Sequence, residues 1–191
     1  MNRRHFCSLP LIAPILGAAT TPDDVPPLPR KADEFAFQTN EGKQILLSAF
    51  HGKVCIMEFL YTTCPHCQHE AQLLSKIQKE YGPRGLQVLG CAYNEMAVML
   101  VPDFIKQNNV TFPVGFASRE AVLHWMSFNP QLMVSVPQVA IVDKQGMVQA
   151  QTPPRSDVKF QQEEYLRPTI EKLLAQSAAA PAAKGPVRHK S

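Results

Sequence analysis

The sequence predicts an α/β sandwich built on one mixed β-sheet. Two observations support this: apolar strand-like runs alternate with helical periodicity in the middle of the chain, and an antiparallel hairpin followed by a helix ends it. The 191 residues are 45% hydrophobic and 18% charged, which is enough apolar content to build a core. We therefore expect one globular domain over residues 33–176, with additional segments at both ends.

The domain is predicted to begin with a β-hairpin and a buried central strand. Residues 35–37 and 44–47 are strand-like and flank the turn residues 40–42. Residues 54–60 read VCIMEFL, an apolar run interrupted by a single carboxylate. Such a run predicts a strand that is covered on both faces of the sheet.

The rest of the domain is assigned from periodicity and turn residues. Apolar spacing predicts helices, and continuous or alternating apolar runs predict strands. The predicted helices cover 65–81, 97–107 with an interruption near Pro102, 119–125 and 161–174. The predicted strands cover 86–92, 111–114 as an extended segment, and 138–142 with 147–151 as a hairpin.

Residues 1–19 have the pattern of an export signal. Arg3 and Arg4 precede a mostly apolar stretch over 6–16, and residues 17–19 are small. The apolar stretch is shorter than the ~20 residues of a standard membrane-spanning helix. We expect an exported protein of the periplasm or cell envelope; an uncleaved segment that anchors the chain in the membrane is the alternative.

Two further segments lie outside the expected fold. Residues 20–32 are rich in proline and predict a stiff linker, and residues 177–191 form an Ala/Pro/Lys-rich tail that we expect to be disordered. The formal net charge of +3 comes from basic residues at the two ends of the chain. Since the domain itself is neutral to slightly acidic, we expect no nucleic-acid partner.

The sequence Cys64-Pro65-His66-Cys67 lies at the junction of a buried strand and a helix. Cysteines three residues apart on a first helical turn can close a small disulfide, and the helix N-terminus stabilises a thiolate at Cys64. His66 adds a hydrogen-bond donor or a positive charge beside that sulfur. We expect Cys64 to be the exposed attacking thiol and Cys67 the deeper resolving thiol.

A metal site is the competing interpretation of this motif. A structural zinc site requires a second pair of ligands, and Cys55 and Cys91 are single residues within strands. His66 lies between the two cysteines and does not share their helix face. We therefore expect no metal and no cofactor other than the redox-active disulfide Cys64–Cys67.

The residues 58–67, EFLYTTCPHC, together with the order of elements, resemble the thioredoxin-like superfamily. Residues 33–174 are similar to exported TlpA/ResA-type thiol–disulfide oxidoreductases, while CPHC itself resembles the motif of DsbA-type oxidases. The resemblance implies a three-layer sandwich with an N-terminal β-hairpin extension. It also implies thiol–disulfide exchange with protein or peptide cysteines, a membrane redox partner and a monomeric chain.

The resemblance assigns roles to further residues. It implies a cis peptide bond before Pro137, with Val136, Pro137 and Pro65 shaping substrate binding. Glu58 corresponds to a buried acidic residue that accepts the proton of Cys67; the alternative is a surface pair with Lys53. Glu70 corresponds to a glutamate near the redox pair; the alternative is an ordinary solvated helix carboxylate.

The remaining sulfur residues are assigned to the core. Cys55 and Cys91 are interpreted as small buried hydrophobes that do not form a disulfide, and four methionines as gap-filling side chains: Met96, Met99, Met126 and Met133. Two other functions stay open, a peroxiredoxin-like thiol peroxidase and a Sco-like copper chaperone. The direction of electron flow also stays open, because the CPHC motif favours an oxidant and the TlpA-like frame a reductase.

Overall fold

The computed structural model describes residues 26–176 and contains one mixed β-sheet, as predicted. Its central strand β4 (Val54–Leu60) is buried at all seven positions. One neighbour, β5 (Leu86–Ala92), is parallel to β4, and the other, β7 (Gln138–Val142), is antiparallel. The predicted export signal (1–19) and tail (177–191) and the first part of the predicted linker lie outside the described residues.

In the described part of the chain, five shorter strands and four α-helices complete the fold. The strands are β1 (Arg30–Lys31), β2 (Ala36–Gln38), β3 (Gln44–Leu46), β6 (Val114–Phe116) and β8 (Met147–Gln151), and the sheet order is β1–β8–β7–β4–β5–β6–β2–β3. The helices are α1 (Pro65–Tyr81), α2 (Ala97–Gln107), α3 (Arg119–Trp125) and α4 (Glu163–Ala175). No helix within residues 26–176 is long and apolar enough to cross a membrane.

Two apolar clusters cover the two faces of the sheet and produce the expected three layers. The first contains α1, α2 and α4 side chains together with Ile56 and Leu60 of β4. The second contains α3 side chains together with Met57 and Phe59. Because successive strand residues face opposite sides of a sheet, Glu58 faces the first cluster, beneath α1.

The end of the predicted linker belongs to the sheet. Arg30 and Lys31 form β1, which pairs with β8 in antiparallel orientation. The Arg30 guanidinium donates hydrogen bonds to the carbonyl oxygen of Trp125 at 2.7 Å and to the Gln151 side chain at 3.0 Å. It also lies 5.2 Å from the centre of the Trp125 ring, so side-chain contacts fix a strand that the proline-rich sequence does not indicate.

Helix α2 is continuous through Pro102, contrary to the predicted interruption. A proline in this position cannot donate to the carbonyl oxygen four residues earlier, which is that of Val98. The side-chain amide of Asn40, in the β2–β3 turn, donates to that oxygen instead. The missing helical bond is therefore replaced by a bond from another element.

Two later boundaries are also shifted. Strand β6 begins at Val114 because Thr111 is bonded to α1, with its backbone N–H 3.2 Å from the Ser75 hydroxyl. Helix α4 begins at Glu163 rather than residue 161, because a short 3₁₀ turn over Val158–Gln161 precedes it. Asp157 caps that turn through a side-chain bond to the N–H of Lys159.

Candidate active site

The two cysteines of the CPHC motif lie where β4 passes into α1. Cys64 is the N-cap residue of α1, and its Sγ accepts a hydrogen bond from the backbone N–H of Cys67 at 3.4 Å. Pro65 occupies the first helical turn, where its missing N–H costs nothing. The same local sequence that starts the helix therefore directs the backbone N–H of Cys67 at the Cys64 sulfur.

Cys64 and Cys67 differ in accessibility as the sequence predicts. Cys64 is half-buried, whereas Cys67 is completely buried. Burial, and after it the hydrogen bond with Cys64, raises the pKa of Cys67 far above the ordinary value of a thiol. Cys64 can therefore meet a substrate sulfur, and Cys67 needs help with its proton before it can react.

The loop before β7 lies against Cys64 and forms another side of the site. The peptide bond between Val136 and Pro137 is cis, as expected, and the Cys64 thiol faces the carbonyl oxygen of Val136 at 4.0 Å. The loop is fixed by a bond from the Ser135 N–H to the carbonyl oxygen of Pro154 at 2.9 Å. Pro65 follows Cys64 directly and is exposed, and the carbonyl oxygen of Val136, the residue before Pro137, faces the Cys64 sulfur.

Glu58 and Glu70 are both fully buried, so the alternatives of a surface pair and a solvated helix residue are wrong. Glu70 follows Cys67 by one helical turn and points with it into the first apolar cluster, toward the face of β4 that carries Glu58. Within residues 26–176, none of the four carboxyl oxygens has a hydrogen-bond partner.

The electrostatics of the two carboxyl groups are coupled to the redox pair. Burial raises the pKa of Glu70 to about 8. Burial, and then the charges of Glu70 and Cys64, hold the pKa of Glu58 well above its usual value. Both shifts favour the protonated carboxyl groups on the buried side of the redox pair.

A polar network that sequence reasoning missed holds the segment before Cys64. The side-chain oxygen of Asn94 accepts a hydrogen bond from the Thr62 N–H at 3.0 Å, and its amide donates to the Thr62 hydroxyl at 3.1 Å. Gln68 donates to the Thr62 carbonyl oxygen at 3.1 Å. An asparagine two residues after a buried strand was the available signal, since the carboxyl ends of parallel neighbours meet at one edge.

The model of the AhpC/TSA family matches residues 28–151 of the chain. The chain belongs to the AhpC/TSA family.

Similar proteins carry the names thiol-disulfide oxidoreductase and thioredoxin-like protein. The chain is 28% identical over 138 residues to the thiol-disulfide oxidoreductase ResA of Bacillus thuringiensis subsp. konkukian, covering 72% of this chain and 76% of that protein. It is 27% identical over 123 residues to the thioredoxin-like protein YneN of Bacillus subtilis, covering 63% and 68% respectively.

Solved structures support the same fold. A thiol:disulfide interchange protein of the thioredoxin family from Chlorobium tepidum is 25% identical with a TM-score of 0.63, covering 76% of this chain and 97% of that one. A thiol:disulfide interchange protein from Bacteroides sp. is 17% identical with a TM-score of 0.62, covering 79% and 92%, and shows the fold alone. With its CPHC site, this AhpC/TSA member is a thioredoxin-like thiol–disulfide oxidoreductase.

The remaining candidate residues of this family member are His66, Cys55 and Cys91. His66 is exposed on the first turn of α1. Cys55 and Cys91 are buried free thiols, and the β4–β5 register places Cys91 opposite Phe59 and Cys55 opposite Gln87. The two thiols are therefore not neighbours across the sheet, as expected for separate core residues.

The interpretation of the methionines as core residues holds only for Met126. That side chain is fully buried, whereas Met96, Met99 and Met133 are largely exposed. Between residues 26 and 176 no three His, Cys, Asp or Glu side chains are grouped so that they could hold a metal ion. The three exposed thioethers are therefore not gap-filling residues of the core.

Proposed function

We propose that the protein exchanges disulfides with protein cysteines through a mixed disulfide at Cys64. The observation behind this is the contrast within the CPHC pair, an accessible Cys64 at a helix N-terminus and a buried Cys67 next to two carboxyl groups. Cys64 forms the intermolecular bond, and Cys67 breaks it. No cofactor beyond this cysteine pair is required.

The reaction balances as a two-electron exchange. The Cys64 thiolate attacks one sulfur of a substrate disulfide, forming the mixed disulfide and releasing one substrate thiolate. The Cys67 sulfur then attacks Cys64, releasing the second substrate thiolate and closing the Cys64–Cys67 disulfide. The protein has lost two electrons and the substrate has gained them; the opposite direction follows the same steps in reverse.

In this proposal Glu58 and Glu70 transfer the proton of Cys67. Burial favours the protonated form of both groups, so the pair can give a proton to the Cys67 thiolate when a substrate thiol opens the Cys64–Cys67 disulfide. In the opposite direction, an ionised member of the pair accepts the Cys67 proton. His66, exposed beside Cys64, adds a donor or a positive charge near the attacking sulfur.

Val136, Pro137 and Pro65 form the surface that receives the substrate. The Val136 carbonyl oxygen already faces the Cys64 sulfur, so an extended substrate segment placed along this loop would bring its own sulfur to Cys64. We further propose export to the periplasm or cell envelope, a membrane redox partner and a monomeric state. The signal-like pattern of residues 1–19 and the TlpA/ResA resemblance support these three points.

The test is a pair of cysteine variants with reduction of insulin disulfides as the assay. Cys64→Ser should abolish activity, and Cys67→Ser should accumulate a mixed disulfide that non-reducing gels reveal and dithiothreitol releases. Cys91→Ser, which removes a buried thiol outside the site, is the matched control and should keep activity. Insulin reduction by the Cys64→Ser variant would refute the mechanism.

The two alternatives are separated from this function by other measurements. A thiol peroxidase consumes hydrogen peroxide at the expense of a thiol reductant, and a copper chaperone binds Cu(I) stoichiometrically in its reduced form. We expect that the reduced protein does not consume hydrogen peroxide at the expense of a thiol reductant and does not bind Cu(I) stoichiometrically.

A further inference from the structure

Gln138 is a buried polar residue at the start of an otherwise apolar strand. It is the first residue of β7, which is buried at all five positions, and residues 139–142 are all apolar. The Gln138 side chain is completely withdrawn from solvent. Burying an amide costs free energy unless its donors and its acceptor are bonded, so a glutamine at this position requires partners inside the protein.

The polar groups of the Gln138 amide all have such partners. Its Nε2 donates to the carbonyl oxygen of Ser135 at 2.7 Å and to that of Pro154 at 3.3 Å. Its Oε1 accepts a hydrogen bond from the Thr152 hydroxyl. Because two carbonyl oxygens face the nitrogen and a hydroxyl faces the oxygen, the amide has a single favourable orientation.

These bonds connect the loop before β7 with the segment that follows β8. The Pro154 carbonyl oxygen accepts hydrogen bonds from both the Gln138 amide and the Ser135 N–H, the latter at 2.9 Å. Pro153 precedes this acceptor, and the rings of the two prolines restrict φ at successive residues. The loop is therefore bonded to a stiff segment.

The bonds give the Val136 carbonyl group a defined direction. The carbonyl groups on either side of it are bonded inside the protein, one to Gln138 and the other to the Ser156 hydroxyl at 3.4 Å. The Val136 carbonyl oxygen itself faces the Cys64 thiol at 4.0 Å. The neighbouring backbone is thus fixed in the interior, and the group between is presented to the redox sulfur.

A role in stability alone does not account for a glutamine at position 138. An aliphatic side chain would fill a buried strand position without the cost of desolvating an amide, and the net gain from each neutral hydrogen bond is small. A fully satisfied buried network does, however, fix one arrangement of the groups that it connects. The group that this network fixes is the loop facing Cys64.

We infer that Gln138 is a positioning residue of the redox site: its amide holds residues 135–137 so that the Val136 carbonyl oxygen stays opposite the Cys64 sulfur. The inference rests on the proposed function and adds a residue that acts through the backbone of this loop. A substrate disulfide then meets a surface whose geometry is set before it arrives. Loosening that surface slows exchange with a peptide more than reaction of Cys64 with a small reagent.

The test replaces Gln138 by methionine, which keeps the length of the side chain and removes its hydrogen bonds. The reduced protein is mixed with a disulfide-linked dimer of a short cysteine peptide, and the second-order rate constant is measured. Alkylation of Cys64 by iodoacetamide is measured in parallel. In Gln138→Met the peptide reaction should slow by about tenfold, and alkylation should change by less than about twofold.

Gln151→Met is the matched control for the loss of a buried glutamine. Gln151 is also buried, and its side chain donates to the Met126 carbonyl oxygen at 2.9 Å and accepts from Arg30 at 3.0 Å rather than bonding to residues 135–137. Gln151→Met should lower the free energy of unfolding in urea, as Gln138→Met does. Both of its rate constants should stay within about twofold of wild type.

A second pair of variants tests the partner of the amide. Thr152→Val removes the hydroxyl that orients the Gln138 amide and should slow the peptide reaction by about threefold. Thr152→Ser keeps a hydroxyl at this position and should retain the wild-type rate.

The outcomes separate the inference from the function beneath it. A Gln138→Met protein that reacts with the peptide at the wild-type rate overturns the inference. An equal loss of rate in Gln151→Met also overturns it, because lost stability alone would then be responsible. If Gln138→Met does not fold, equal peptide rates for Thr152→Val and Thr152→Ser overturn it. A wild-type protein that is alkylated at Cys64 but does not react with the peptide disulfide overturns the proposed function, and the inference falls with it.

Discussion

At the scale of single residues, Glu58 and Glu70 connect the stability of the fold with its chemistry. Both are completely buried. An unpaired carboxylate in such a position costs several kcal/mol, and protonation removes most of that cost. The folded state therefore favours the protonated forms, and their protons lie beneath the sulfur that must gain or lose one during exchange.

Glu58→Gln should slow the opening of the Cys64–Cys67 disulfide, which requires a proton for Cys67. It should leave the nucleophilic reactivity of the Cys64 sulfur nearly unchanged. The amide keeps the shape of the carboxyl group but cannot transfer its proton to Cys67, so opening of the Cys64–Cys67 disulfide by a dithiol should slow by about 100-fold at pH 7. The rate is measured by quenching the reaction with acid at timed intervals, alkylating the free thiols and separating the products by mass.

Alkylation of Cys64 by iodoacetamide, which does not involve Cys67, should change by less than about threefold in the same variant. Glu164→Gln, a neutralised carboxylate that is exposed on α4, should behave as wild type in both assays. A Glu58→Gln protein that opens its disulfide at the wild-type rate across the pH range would exclude Glu58 from proton transfer.

At the scale of elements, the long and strongly patterned segments were predictable from sequence. The strands over Val54–Leu60 and Leu86–Ala92 and the helix over Pro65–Tyr81 have the predicted bounds. Each is defined by its own apolar pattern and by turn residues at its ends, so no distant contact is needed to define it. The position of the redox pair was predictable for the same reason, because Cys64 and Cys67 lie at one of these boundaries.

Features that depend on distant contacts were not predictable in the same way. Strand β1 exists because Arg30 finds partners on α3 and β8, and its own proline-rich sequence favours a linker. The burial of Glu70 depends on how α1 lies on β4, since its position at the border of the apolar stripe fits either environment. The bonds between Asn94 and Thr62 likewise require two strand ends to meet.

The contact between Asn40 and α2 gives a prediction for an element. Asn40→Ala leaves the Val98 carbonyl oxygen without its donor and should destabilise the fold by about 0.5–1 kcal/mol, at the low end because water reaches this site. In a Pro102→Ala background, residue 102 can donate the helical bond itself, and the cost of Asn40→Ala should shrink to about zero.

Urea denaturation of the four proteins in this cycle gives the coupling energy directly. The exchange activity of each, measured in parallel, should be unaffected, since Asn40 and Pro102 lie outside the redox site. Equal costs of Asn40→Ala in both backgrounds would show that this side chain does not replace the missing helical bond.

At the scale of the whole molecule, the sheet order explains why the redox site can be both buried and reactive. Strand β4 is covered on both faces, which withdraws Glu58, Glu70 and Cys67 from water. Its carboxyl end emerges at the sheet edge, where α1 begins and Cys64 reaches the surface. The end of this strand and the start of α1 therefore combine a buried pair of carboxyl groups with an accessible sulfur.

This arrangement makes the stability of the whole protein depend on pH in a defined direction. The pKa of Glu70 rises from an ordinary 4.5 to about 8 on folding, and that of Glu58 rises in the same direction. Between these pH values the folded protein binds more protons than the unfolded chain. The stabilising contribution is complete below pH 4.5 and is lost as the pH rises toward 8.

The free energy of unfolding of the wild-type protein, measured in urea at intervals from pH 5 to pH 8.5, should therefore fall by up to ~1.4 kcal/mol per pH unit for each group that titrates. Glu70→Gln should be flatter over the same range, and Glu58→Gln combined with Glu70→Gln flatter still, because a neutral amide has no proton to lose. Glu164→Gln should follow the wild-type curve. A wild-type free energy of unfolding that stays constant or rises between pH 5 and pH 8 would contradict this. Both carboxyl groups would then ionise in the folded protein without penalty, and neither would keep a proton for Cys67.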